Sequence, residues 1–348
     1  MIFFSSSFFS TSSPPTKKNT SSSVLAASAP RPSRSSSTIV PRAAAETATA
    51  DVASLAKKFA IPGSVAVTAG KGGLPTVRLT HACGATAEVI LFGGLVSSWT
   101  QPSGDEVLYI RPDAVFDKSK PVSGGIPHCF PQFGPGAMQQ HGFARNLDWA
   151  VAATSADPNP DDLDPSVEIV LTENEYTKKM WPHDFRASFT VTLHGEALKT
   201  ELAVTNNNKN GESFDFTAAL HSYIEVLDIR KAGVRGLKGF EFLDKTVDAE
   251  NPPKAKETRD VVDFKGPVDS VYLKAGGHVE LDVGTGAAVA ISSDRWDDIV
   301  VWSPWTSMEA CYERFCCVEN AQFSSPAGPV KPGGVWRATA EFSVVDLE

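Results

Sequence analysis

Two ionisable side chains stand inside runs that are otherwise largely apolar: His221 in AALHSYIEV and Glu319 in RFCCVENAQF. An unpaired charge buried in such a run costs several kcal/mol, so each needs either a partner or a task. Strand alternation places Ala219, His221 and Tyr223 on one face, opposite Leu220, Ser222 and Ile224. A lone strand histidine is more often structural than catalytic. A histidine and a glutamate facing one concave sheet surface, however, supply the acid and base that carbohydrate chemistry requires. Trp302 and Trp305 in VVWSPW offer a sugar ring an apolar wall, though core packing is their default role.

The least ordinary stretch is KSKPVSGGIPHCFPQFGPGAMQQHGFARNLDW, residues 118 to 149. Five glycines and four prolines work against regular structure there, while Phe130, Phe133, Phe143 and Trp149 bury it. Buried irregular backbone is expensive and usually frames a site. Within it Gln140, His141 and Arg145 are clustered polar groups able to hold hydroxyls or an anion. The competing reading pairs Arg145 with Asp148 or another carboxylate and makes His141 a satisfied core histidine. AGKGGLP (69 to 75) lacks the GxxxxGK[ST] spacing of a phosphate loop, has no helix after it, and reads as a hairpin turn.

The elements that must position these residues read as β. Short runs rich in Val and Thr, mostly bounded by Gly or Pro, follow one another: SVAVTAG, TVRLTHACG, TAEVILFGGLVSSW, EVLYIR, WAVAAT, VEIVLTEN, ASFTVTLHG, LKTELAVTNNN, FDFTAALHSYIEV, VDSVYLKAG, HVELDVG, AAVAISSD, DIVVWSPW and WRATAEFSVV. That spacing predicts an antiparallel sandwich or barrel with very little helix, an all-β fold class. Helix is expected only over 51 to 59, closed by Pro62-Gly63, and as a weak periodicity from Met308 to Phe315. NNKNG (207 to 211) reads as a hairpin turn and DPNPDDLD (157 to 164) as an acidic surface loop.

The 348 residues are 42% hydrophobic and 21% charged, which excludes collagenous, coiled-coil and wholly disordered chains. No apolar run reaches 18 residues, so no membrane span is expected. A formal charge of −9 argues against nucleic acid as a partner. Residues 1 to 45 hold no Asp or Glu but carry Lys17, Lys18, Arg31, Arg34 and Arg42 among many Ser, Thr and Pro. This is the pattern of an organelle transit peptide, and abundant Ser with little Arg suits a chloroplast. The expected organisation is a plastid transit peptide at 1–45, a short linker or helix at 46–62, and one β domain at 63–348. Cys83, Cys129, Cys311, Cys316 and Cys317 form no CxxC pattern and read as packing residues, with Cys316 and Cys317 on opposite faces of a strand.

SGGIPHCFPQFG, QQHGFARNLDW, LHSYIEV, VDSVYL, VVWSPW and CCVENAQ, together with VRLTHACGATAEVILFGGLVSSW, carry a resemblance. In order and spacing they are similar to the glucose-6-phosphate 1-epimerases, a branch of the aldose 1-epimerase or galactose-mutarotase-like family, from about residue 64 to the end. The resemblance implies a β-supersandwich with sugar bound on a concave sheet, and an isomerase of the hexose 6-phosphate mutarotase kind. It places the catalytic histidine on His221 and the catalytic glutamate on Glu319. Sugar and phosphate contacts fall on Gln140, Arg145 and Asp269, with His141 an additional contact. Two departures stand out: Ser123 where the motif is commonly RGGIP with a phosphate-binding arginine, and Ser303 in the usual WNPW. With Ser123 there, a second cation must come from elsewhere, and Lys118 or Lys120 is nearest in sequence.

Anomer interconversion needs a base at the C1 hydroxyl and an acid at the ring oxygen. Glu319 is the obvious base and His221, as an imidazolium near its ordinary pKa of about 6.5, the obvious acid. No metal or organic cofactor is required, because the intermediate is a neutral aldehyde, and the expected partner is a small-molecule sugar or sugar phosphate. The alternatives are a non-catalytic carbohydrate-binding or scaffold protein of the same fold, and a glycoside hydrolase using Glu319 with Asp269 as two carboxyl groups. The latter leaves His221 without a role.

Overall fold

A computed structural model describes residues 52–156 and 164–347. The acid-free segment 1–45 and most of the acidic loop, 157–163, lie outside the described residues. Alternation decides the local structure: in Phe185–His194, Phe185, Ala187, Phe189, Val191 and Leu193 are all fully buried, with the intervening residues half-buried. Such period-2 segments pair throughout as antiparallel ladders. Val65–Ala69, Pro75–Thr80, Thr86–Ile90 and Leu95–Thr100 form a four-stranded meander. The run read as TAEVILFGGLVSSW splits at Gly93 and Gly94, both with positive φ, into its last two strands.

A nine-stranded sheet runs in the order Val261–Asp263, Gly233–Arg235, His278–Asp282, Ala287–Asp294, Val335–Asp346, Ala197–Asn206, Phe185–His194, Ser166–Thr172, Ala150–Ser155. An eight-stranded sheet runs Lys254–Lys256, Glu241–Asp244, Val268–Tyr272, Asp298–Ser303, Phe315–Val330, Phe214–Leu220, His128–Cys129, with Tyr223–Glu225 also paired to Phe315–Val330. Val301, Val318 and Leu220 of the eight-stranded sheet share one core with Phe189, Leu202, Val289 and Phe342 of the nine-stranded sheet and with Val77, Val89 and Trp99 of the meander. This is the antiparallel sandwich expected from the strand pattern, and its opposite, outer sheet face is left to carry chemistry.

Among the described residues α-helix is confined to two short segments, 52–59 and Glu175–Met180. The second was not expected; Asn174 accepts from the N–H groups of Tyr176 and Thr177, and the Thr177 hydroxyl accepts from the Asn174 N–H, a capping box written in NEYT. The helix expected from Met308 to Phe315 is instead two 3₁₀ turns, Trp305–Met308 and Tyr312–Arg314. Phe315 pairs with Glu225 and opens a strand, and its buried ring joins Tyr223, Cys311 and Cys317, so tertiary packing overrides the weak periodicity. NNKNG is not a hairpin: the strands it joins belong to different sheets. The Asn206 side-chain amide donates to the carbonyls of Glu212 (2.9 Å) and Val330 (2.7 Å), fastening that crossing.

Candidate active site

Register builds the site. Directly opposed residues in an antiparallel ladder point to the same side. One row crosses the eight-stranded sheet through Asp269, Trp302, Cys317 and Tyr223, and the next passes through Val271, Val300 and Glu319. Glu319 is therefore on the outer face, opposite Val318, which enters the main core. On that face it lies between two small apolar clusters, Cys129, Phe133, Ala219, Val271, Val300 and Ala321 on one side and Tyr223, Cys311, Phe315 and Cys317 on the other.

His221 arrives where the chain interrupts its pairing, between Phe214–Leu220 and Tyr223–Glu225. Its N–H donates to Pro127 O (3.0 Å), and its ring stacks on Tyr223 at 4.8 Å and 13° while meeting Trp302 edge-on at 5.7 Å. Its Nδ1 stands 3.5 Å from Glu319 Oε1, with both side chains nearly sealed from solvent. Burial, reinforced by the charge of Asp269, raises the Glu319 carboxyl well above the usual carboxylate range. Burial, then the nearby His141 and Arg145, push the His221 imidazole well below 6.5. Both shifts favour the uncharged forms, a protonated carboxyl and a neutral imidazole, in the unliganded site. His221 Nδ1, Glu319 Oε2 and Arg145 Nε are buried without hydrogen-bond partners, three groups able to bond an incoming polyol.

The 118–149 stretch hangs over this face from an aromatic anchor. Phe130 contacts Phe143, Trp181, Phe185 and Phe216 with centroids 5.3 to 6.2 Å away, and its carbonyl accepts from the N–H groups of Phe143 and Ala144. Gly142 (φ +68) permits this: a Cβ there would come within 2.3 Å of Phe130 O. His141, also left-handed at φ +65, turns towards the site; its ring lies 5.7 Å from His221, its Nδ1 accepts from Gly134 N–H (3.2 Å), and burial followed by Arg145 and Lys245 lowers its pKa to about 3. Arg145 Nη2 donates to Gln140 O (3.0 Å), and the exposed Gln140 side chain lies 3.3 Å from His141 Nε2. Gln140, His141, Arg145, His221, Glu319 and Asp269 thus converge on one face. Burial raises the Asp269 carboxyl. Trp302 lines the site, whereas Trp305 packs on Tyr312 at 5.2 Å.

The cations differ from expectation. Lys118 Nζ pairs with Asp148 at 2.8 Å on the exposed side of the stretch, which removes both Lys118 as a site cation and Asp148 as the partner of Arg145, while Lys120 is exposed. Lys245, missed in sequence, stands instead with Nζ 3.9 Å from Asp269 Oδ1 and 5.9 Å from the Phe133 ring centre. No local signal marks it, because its N–H reaches Asp269 O only through long-range pairing. Arg111 was also missed, although its place in EVLYIR, two residues from Tyr109, fixes the face on which it emerges. Among the described residues no group of three or more His, Cys, Asp or Glu is placed to hold a metal ion.

Similarity to known proteins extends over most of the chain. A family model described as Aldose 1-epimerase matches residues 75–343. A protein of Cenchrus ciliaris named "Putative glucose-6-phosphate 1-epimerase" is 34% identical over 288 residues, 78% of this chain and 85% of that one. One of Escherichia coli K12 with the same name is 33% identical over 250 residues, 68% and 80% of the two chains. The crystal structure of a "putative mutarotase" from Salmonella typhimurium superposes with a TM-score of 0.71 at 28% identity, covering 83% of this chain and 96% of that one. A galactose mutarotase-like protein from Clostridium acetobutylicum, 16% identical with a TM-score of 0.66 over 81% of this chain and 98% of that one, shares the fold. A β-sandwich of the galactose mutarotase-like kind, matched over most of its length by the family model and by relatives a third identical, makes this chain a member of the aldose 1-epimerase family.

Proposed function

We propose that the protein interconverts the α and β anomers of glucose 6-phosphate. The observation that carries this reading is the buried His221–Glu319 pair, 3.5 Å apart, each with an unpartnered polar atom on a face shared with Arg145. Glu319 takes the proton of the C1 hydroxyl while His221 delivers one to the ring oxygen. The bond from C1 to the ring oxygen opens, the aldehyde turns about the bond from C1 to C2, and both transfers reverse on the other face. The step needs one proton on the pair, held by His221 before ring opening and by Glu319 after it. Trp302 gives the ring an apolar wall, Asp269, Gln140 and His141 bond the hydroxyls, and Arg145 offers a permanently charged fork to the phosphoryl group.

The relatives named for glucose 6-phosphate support the phosphorylated substrate, and the cation beside the pair supports it chemically. Anomerisation rates of α-glucose 6-phosphate and α-glucose, measured side by side, test it. Faster turnover of the phosphosugar, with Arg145→Ala raising its KM on the order of tenfold or more and that of glucose far less, is expected. Equal loss for both sugars reassigns the site to a neutral sugar. The acid-free first 45 residues carry a second, separate proposal, that the protein acts in the chloroplast stroma.

A further inference from the structure

We infer that Arg111 is the second cation that grips the phosphoryl group, so that it sets the preference for a phosphorylated sugar; this rests on the hexose 6-phosphate reading of the same site. In a pyranose 6-phosphate, C6 hangs on C5, the carbon on the far side of the ring oxygen from C1. A phosphoryl group on C6 reaches away from the C1 hydroxyl and past the group that serves the ring oxygen. Cations that hold it must flank His221 rather than Glu319.

Lys245 leans on Asp269, on the Glu319 side, and Lys118 is held by Asp148 away from the site. Arg145 bears on both His221 and Glu319, and Arg111 on His221. Strand geometry places Arg111. The N–H of Tyr109 donates to Tyr223 O (3.0 Å), that of Gly125 to Tyr109 O (2.8 Å) and that of Arg111 to Ser123 O (3.1 Å), while Ile110 and Gly124 form a bridge. Side chains two apart on an extended chain share a face. Tyr109 stacks on Phe315 at 5.0 Å and 8°, within the aromatic group that contains Tyr223 and Trp302. Arg111 leaves this extended segment, which isolated bridges rather than a full strand hold in place, on that face.

The guanidinium is also prepared. Its Nε and Nη2 donate to the two Asp113 carboxylate oxygens at 3.0 and 2.7 Å, which fixes the plane of the fork, while Nη1 donates to no described residue. The side chain is 17% exposed, so a mostly buried cation presents one unused corner. A phosphoryl oxygen fits that corner, since an arginine fork with two donors committed still offers the rest in a fixed geometry. Ser123 opposes Arg111 across the strand pair, with only a hydroxyl, and a longer basic side chain at 123 ends in the same space.

KM and kcat for glucose 6-phosphate and glucose in the wild type, Arg111→Gln and the double variant Arg111→Gln with Ser123→Arg test this. Arg111→Gln should lower the preference for the phosphosugar on the order of tenfold or more, mainly through KM, and Ser123→Arg should restore most of it by returning a guanidinium from the facing strand. A wild type with equal kcat/KM for the two sugars overturns the substrate reading and this inference with it. A wild type that prefers the phosphosugar, with Arg111→Gln keeping that preference, overturns this inference alone. Loss on both sugars alike that Ser123→Arg does not rescue does the same, because Arg111 would then serve the fold or His221 rather than the phosphate.

Discussion

His128 lies on a strand whose neighbour ends at Leu220, its partner, one residue before His221; burial depresses the pKa of both histidines, that of His128 to about 4. Their partners separate them. His128 donates from Nε2 to Gly94 O (3.1 Å), stacks on Trp149 at 4.8 Å and meets Phe189 edge-on at 4.3 Å. Nδ1 is unbonded in both, but only His221 meets a buried carboxyl, a second histidine and a tryptophan. Burial alone therefore does not mark a working histidine. The proposed role of His221 rests instead on an ionisable neighbour with unused polar atoms, on a sheet face closed off from the main core.

Exchanging the two fates is the sharpest way to break the comparison. His221→Ala should lower kcat/KM by on the order of 10²-fold or more with the fold retained, the usual cost of removing a positioned acid or base. His128→Ala should do the reverse, costing about 2–4 kcal/mol of stability through the cavity left beside Trp149 while the folded fraction keeps its activity. Denaturant titration read together with anomerisation rate separates the two. Retained turnover in His221→Ala would move the acid to another group.

Titration sharpens it further. His221 is shifted down and Glu319 up, so the pair should take its second proton below 6.5 and lose its last one above the usual carboxylate range. Activity should stay level as pH falls through 6.5 and drop only below it, when the pair takes a second proton; it should drop on the alkaline side above the usual carboxylate range, when the last proton leaves. An inflection at 6.5 in kcat/KM would show an ordinary exposed imidazole instead.

A smaller effect is expected where the 118–149 stretch is anchored. Gly142→Ala forces a side chain into a left-handed backbone against Phe130 O, and should cost about 1–3 kcal/mol and weaken sugar binding through His141 next door. Unchanged melting and KM would mean that the anchor yields. The smallest effect should come from the N-terminal segment. A chain starting at Asp51 should match the full-length rate, and a fusion of the first 45 residues to a fluorescent reporter should enter plastids, with a cytosolic signal refuting the transit reading.

The sandwich was legible because alternation in segments such as Phe185–His194 is a local property, and so were His221 and Glu319, as ionisable interruptions of apolar runs. Pairing between distant strands was not. It turns NNKNG into a crossing between sheets and brings Lys245 to Asp269 from 24 positions away, whereas Lys118, close to Ser123 in sequence, is drawn off by Asp148. The upward shift of the Glu319 carboxyl was equally hidden, since it depends on burial between two apolar clusters and on Asp269, all set by register.

The most direct test is exchange spectroscopy on an equilibrium mixture of α- and β-glucose 6-phosphate, comparing the wild type with Glu319→Gln at equal, folded concentration. The wild type should exchange the anomeric resonances well above the spontaneous rate, and Glu319→Gln should fall on the order of 10²-fold or more towards it. Exchange at wild-type speed in Glu319→Gln would contradict the account.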